Sequence, residues 1–114
     1  MTDCIFCKII KGDIPSTNVF RDEQVTAFQD TNPRAPVHLL IVPNEHIESI
    51  RNIGPEQAGL LNKLISVANQ LAQDTGIDQT GYRLVINTGP DAGQSVFHLH
   101  LHLLGGRKIP MRFD

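Results

Sequence analysis

Tryptophan is absent, tyrosine occurs once and phenylalanine five times. A surface that stacks successive bases of a long single strand draws on more aromatic side chains than this. Ten basic residues against twelve acidic ones leave a formal charge of -2, and no Lys/Arg stripe is long enough to follow a phosphate backbone. Nucleic acid is therefore not an expected partner. The two cysteines lie in Cys4-Ile5-Phe6-Cys7, too close in sequence to close a stabilising loop, which excludes a disulfide framework. Uninterrupted apolar runs stop at four residues, as in Leu39-Leu40-Ile41-Val42, against the ~20 that a membrane helix needs. No membrane span is expected. The first residues show no basic stretch leading into a long apolar one, which leaves a cytoplasmic location as the expectation.

What remains is an ordinary globular composition. The 114 residues suit one domain, 1–114, and an apolar share of 40%, nearer one half with the nine glycines, suffices for one core. A small anionic ligand is still allowed, because a few local donors bind a single phosphate whatever the net charge.

Hydrophobic spacing outlines the elements. Ile5, Phe6, Ile9 and Ile10 place one apolar face on a short helix over Cys4–Lys11, closed by Gly12 and Pro15. Asn18–Arg21 and Val25–Gln29 read as two strands of a hairpin, and Val37–Val42 as a third strand between prolines. His46–Ile53 is a short helix or a turn. Pro55 to about Asp74 is the clearest element, a helix with Leu60, Leu61, Leu64, Val67, Ala68 and Leu71 at helical spacing and Gly76 just past its end. Tyr82–Asn87 reads as a fourth strand, Thr88–Ser95 as a Gly/Pro-rich loop and Val96–Leu104 as a fifth strand. The expected class is α+β, an antiparallel sheet of about five strands with one long helix on a face and a short N-terminal helix.

The chemistry concentrates in Gly93-Gln94-Ser95-Val96-Phe97-His98-Leu99-His100-Leu101-His102-Leu103-Leu104. Strand alternation puts His98, His100 and His102 on one face and the three leucines on the other, so the leucines pack while the histidines line a site. Two chemistries fit. Imidazoles about 6.5–7 Å apart along a strand could converge on a metal ion. Alternatively one neutral imidazole is a nucleophile toward phosphorus while its neighbours orient it. Gly89, Gly93, Gln94 and Ser95 just upstream supply amides, close backbone approach and a hydroxyl for a phosphate, which favours the second. Taken singly, Asp30 reads as a solvated strand-end acid, His38 as a satisfied histidine, Asn87 as a turn cap, and Ile5, Phe6, Ile9, Ile14 and Phe28 as plain core.

The string His98-Leu-His100-Leu-His102-Leu-Leu resembles the signature of the histidine triad (HIT) superfamily, and its nucleotide-binding Hint branch in particular. The resemblance extends through Ile5-Phe6-Cys7-Lys8-Ile9-Ile10, Ile14-Pro15, Ala27-Phe28-Gln29-Asp30, Ala35-Pro36-Val37-His38 and Gly81-Tyr82-Arg83 to Gly93-Gln94-Ser95-Val96 and Leu104-Gly105-Gly106-Arg107. It implies a HIT-like fold and a purine nucleoside phosphoramidase, a hydrolase of adenosine 5′-phosphoramidates. His100 would attack the α-phosphorus to give a nucleotidyl-histidine that water resolves. His102 would contact the phosphate and help protonate the leaving amine. The His98 carbonyl would fix the tautomer of His100, with His38 behind. Asn87, Gly93, Gln94 and Ser95 would hold phosphate oxygens, and Asp30 the ribose hydroxyls. Ile5, Phe6, Ile9, Ile14 and Phe28 would form the purine slot.

The resemblance also implies a structural zinc in some relatives, here from Cys4, Cys7, His46 and His98, with no cofactor needed for catalysis. It implies a homodimer that joins two sheets into one. A dinucleoside polyphosphate hydrolase, a non-catalytic purine-nucleotide-binding module and a metalloenzyme using His98 and His100 are the alternatives. The ending Lys108-Ile-Pro110-Met-Arg112-Phe113-Asp114 lacks the tryptophan that many relatives carry there, so leaving-group preference is left open.

Overall fold

The computed structural model of the protein describes residues 4–111. Its elements run α1 (Ile5–Lys11), β1 (Asn18–Arg21), β2 (Val25–Gln29), β3 (Val37–Pro43), α2 (Ala58–Asp74), β4 (Tyr82–Val85) and β5 (Leu101–Gly105). The strands form one antiparallel sheet in the order β1-β2-β3-β5-β4. This is the expected α+β architecture. Among the described residues no helix is long and apolar enough to cross a membrane.

Period-two alternation sends the two halves of each central strand into different cores. Val25 and Ala27 of β2, Leu39 and Ile41 of β3, and Leu101 and Leu103 of β5 pack with Leu64, Val67, Ala68, Leu71 and Ala72 of α2. Phe28, Leu40 and Val42 point the other way and meet Phe6, Ile9 and Ile10 of α1. The buried positions of α2 recur at i, i+3, i+4, i+7 and i+8, the stripe of a helix lying on a sheet. α1 covers only part of the opposite face. The uncovered part carries His38, His100 and His102.

Two strands are shorter than their apolar patterns predict. The fifth was expected over Val96–Leu104, yet its ladder holds only Leu101–Gly105, while 96–98 bend. The reason lies in its partner, β3. Beyond the Ile41↔Leu101 pair, β3 ends at Pro43, which has no N–H to donate. Leu99 instead donates its N–H to Ile47 O at 2.6 Å, joining this segment to the strap that follows β3. Leu99 still reaches the α2 core and is 1% exposed, so the alternation survives although the ladder does not. The fourth strand stops at Val85 rather than Asn87, opposite His102. His46–Ile53 is irregular apart from a 3-10 turn at Ile50–Asn52, and Pro55–Gln57 enters α2 as a 3-10 turn. Of the tail, Arg112, Phe113 and Asp114 lie outside the described residues.

Leu64 is fully buried where α2 crosses the sheet. Leu64→Ala should therefore destabilise the fold by about 2–5 kcal/mol in urea unfolding with an unchanged m value; a loss below about 1 kcal/mol would show that α2 does not seal this core.

Candidate functional site

The half-covered face of the sheet holds a cavity of about 370 Å³, a size suited to a small-molecule ligand. One end is apolar, lined by Ile5, Phe6, Ile9, Ile14, Phe28 and Leu40. The other is polar, with Asp30, Arg34, His38, Asn87, Ser95, His100 and His102, and Gly93 beside them. Ile5 is 45% exposed, so it forms a rim and not a core contact. Phe6 meets Phe28 edge-on at 5.4 Å between centroids and His100 at 5.1 Å, joining the apolar end to the histidines.

Backbone carbonyls decide where the imidazole protons sit. A carbonyl can only accept, so the 2.7 Å contact between His100 Nδ1 and His98 O places a proton on Nδ1 and leaves a lone pair on Nε2. Burial lowers the basicity of His100, with the His98 carbonyl opposing that shift. His100 is thus neutral near pH 7 and has one free lone pair on a ring that lines the cavity. At His38 the Arg34 N–H donates to Nδ1 at 3.1 Å, which puts the proton on Nε2. That proton faces His102 Nδ1 at 3.0 Å, with Asp30 Oδ2 at 3.4 Å from the same nitrogen. His102 therefore accepts through Nδ1 and carries its own proton on Nε2. Burial, together with the charges of His100 and His38, pushes His102 down to about 4. His38 is lowered as well, mainly by burial, while the Asp30 carboxylate opposes the shift.

His98 turns out of the cavity. Its Nε2–H donates to Pro43 O at 2.8 Å, so the Nδ1 lone pair points at the start of α1. There Nδ1 lies 3.3 Å from Cys4 Sγ, 3.6 Å from Cys7 Sγ and 3.2 Å from His46 Nδ1, while Cys7 Sγ lies 3.4 Å from His46 Nδ1. A tetrahedral zinc with two thiolates and two imidazoles would set S···N separations near 3.5 Å and N···N near 3.3 Å, by rough geometry from its bond lengths. The four side chains fit that ion. Burial raises the Cys7 thiol, as does its bond with Cys4, and a bound cation would favour the thiolate that serves as its ligand. Cys4 sits at the N-cap of α1 and its sulfur accepts the Cys7 N–H, which fixes that sulfur at the start of the helix. Among the described residues no group of three or more metal-ligating side chains includes His100, whereas His98 belongs to the group with Cys4, Cys7 and His46.

The cavity gathers most of the residues that the sequence singles out. Outside it lie Gly89, the Cys4, Cys7, His46 and His98 side chains that gather beside it, and Gln94, which is buried beneath the loop. Several participants carried no sequence signal, because they act through main-chain atoms: the carbonyl of Pro43, the N–H of Arg34 and the carbonyl of Glu48. Leu40 was discoverable, since it stands two positions from His38 on one strand face.

Comparison with known proteins agrees with this geometry. A family model described as scavenger mRNA decapping enzyme C-term binding matches residues 3–112. The purine nucleoside phosphoramidase of Escherichia coli (strain K12) is 46% identical over 107 residues, covering 94% of this chain and 90% of that protein. A HIT family hydrolase from Clostridium thermocellum superposes with a TM-score of 0.96 at 48% identity, covering 100% and 99% of the two chains. A histidine triad protein from Clostridium difficile gives 0.95 at 46% identity, covering 99% and 98%. The chain, matched along nearly its whole length by such proteins, belongs to the histidine triad (HIT) family.

Proposed function

We propose that this protein is a hydrolase that cleaves the P–N bond of purine nucleoside 5′-phosphoramidates, through His100 as nucleophile. The observation that carries this reading is the His100 Nδ1–H bond to His98 O at 2.7 Å, which presents a neutral Nε2 to the cavity. The nearly full-length likeness to a purine nucleoside phosphoramidase supports the substrate class.

The purine would lie in the apolar end, against Phe6, Phe28, Ile9, Ile14, Leu40 and the rim residue Ile5. Asp30 would accept from the ribose hydroxyls. The α-phosphate would then rest between His100, His102, Asn87 and Ser95, near the backbone of Gly93. His100 Nε2 attacks phosphorus, a new N–P bond forms and the bond to the leaving amine breaks. His102 passes its proton to the departing nitrogen. Water next attacks the nucleotidyl-histidine and returns a proton to His102, and the nucleotide is released with His100 restored. Donors around the phosphate stabilise the charge of each five-coordinate transition state.

Burial and the neighbouring imidazoles push His102 down to about 4, too low to serve as an acid at neutral pH. The anionic phosphoramidate group supplies what is missing, because an opposite charge beside an imidazole favours its protonated form. Bound nucleotide thus prepares its own proton donor.

We also place a structural zinc ion on Cys4, Cys7, His46 and His98. The ion would fasten α1 to the triad segment, and no step above uses it. β4 is an edge strand of the sheet among the described residues, and we read that edge as the two-fold contact of a homodimer. A cytoplasmic location fits thiols kept reduced for a metal.

Three outcomes follow. His100→Ala should lose at least about 10⁴-fold in release of AMP from adenosine 5′-phosphoramidate and keep AMP affinity; comparable turnover by the variant would remove His100 from the nucleophile role. In an NMR titration the His102 ring, near 4 in the free protein, should titrate at higher pH with saturating AMP, and an unmoved midpoint would contradict the proposed acid. Metal analysis should find about one zinc per chain, and its removal should lower Tm with AMP release from the same substrate retained. Loss of activity without loss of stability would contradict a structural ion.

A further inference from the structure

Gln94 is 5% exposed, and every hydrogen-bonding group of its side chain is engaged inside the protein. Oε1 accepts from the Gly89 N–H at 2.8 Å. Nε2 donates its two hydrogens to Glu48 O at 2.7 Å and Val96 O at 3.1 Å. The amide cannot be turned round, since Gly89 N–H only donates and the two carbonyls only accept. The backbone N–H of Gln94 is also used, donating to Gly89 O at 3.1 Å. No donor of this residue is left for a phosphate.

These bonds clamp a loop whose conformation needs outside support. Gly89 has φ 82 and ψ 169, a region essentially confined to glycine, and Gly93 has φ 85. Between them Pro90–Ala92 makes one 3-10 turn. Gln94 closes this loop across Gly89 and at the same time ties it to Glu48. The strap that holds Glu48 also takes the Leu99 N–H at Ile47 O and carries His46 of the thiol cluster. One amide therefore sets the phosphate loop in register with the triad segment.

We infer that Gln94 is a positioning residue, which holds the Gly89–Ser95 loop so that Gly93 and Ser95 face the phosphate, and does not itself touch the nucleotide. The inference deepens the phosphoramidase reading and rests on it for the kinetic consequence. The geometric part stands on the bonds alone. A misplaced loop costs most where charge builds up on phosphorus, so the turnover rate suffers more than ground-state binding, which the purine and ribose contacts supply.

The test combines wild type and Gln94→Met. In wild type, the side-chain amide resonances of Gln94 should be unmoved by saturating AMP while the Ser95 amide shifts. In ligand-free Gln94→Met, exchange of the Gly89 amide should become much faster than in wild type. Turnover of adenosine 5′-phosphoramidate by that variant should fall on the order of 100-fold in kcat with KM within about threefold. Gln94 amide resonances that move with AMP, or a variant that loses turnover while Gly89 stays protected before ligand is added, would assign Gln94 to direct phosphate contact and overturn the inference. Full turnover by Gln94→Met would overturn it too. Should the variant fail to fold, the wild-type resonances decide. Should wild type bind AMP without cleaving the phosphoramidate, the enzymatic reading fails while the exchange of Gly89 still tests the clamp.

Discussion

Leu101 and Leu103 are pressed against α2 by the same strand alternation that turns His100 and His102 to the opposite face, and this division of the strand is the constraint on which the rest of the molecule depends. Each leucine buried there contributes about 1.5–3 kcal/mol. A one-residue slip of β5 against β3 would bury histidines under α2 and expose leucines in the cavity, so the core enforces the register of the site. The same rule along β3 places His38 and Leu40 on the site face and Leu39 and Ile41 beneath it. Stability and chemistry are written in alternate positions of the same strands.

Within the site the main chain does what side chains are usually asked to do. Three carbonyl or amide contacts, at His98 O, Pro43 O and Arg34 N, assign the protons of three imidazoles. His98 serves two sites at once: its carbonyl holds His100 and its Nδ1 faces Cys4, Cys7 and His46. A rigid backbone is a better orienting partner than a mobile carboxylate, provided that the segment bearing it is fixed. The thiol cluster on one side and the Gln94 clamp on the other fix that segment.

Much of this was legible in the residues themselves. The spacing of Leu64, Val67, Ala68 and Leu71 announced α2, and His-x-His-x-His announced a face of imidazoles opposite a face of leucines. Cys4, Cys7 and His46 were brought to His98 as the family pattern implied. What escaped was set by partners rather than by patterns. The apolar run Val96–Leu104 looked like a full strand, but an ordinary strand needs a neighbour, and β3 ends at Pro43. Gln94 sits in a Gly-Gln-Ser string that reads as a phosphate binder, and only the three acceptors and donors around its amide reveal that it is already committed. The roles of Pro43, Arg34 and Glu48 rest on main-chain atoms, on which residue identity is silent.

The central claim is that His100 becomes covalently nucleotidylated. Peptide mass spectrometry on wild-type protein quenched during turnover of adenosine 5′-phosphoramidate tests it most directly. The account predicts an acid-labile adenylyl group on the peptide bearing His100, localised to that ring. An adduct on His102 or His38, or release of AMP at full rate with no adduct trapped on any histidine, would contradict it.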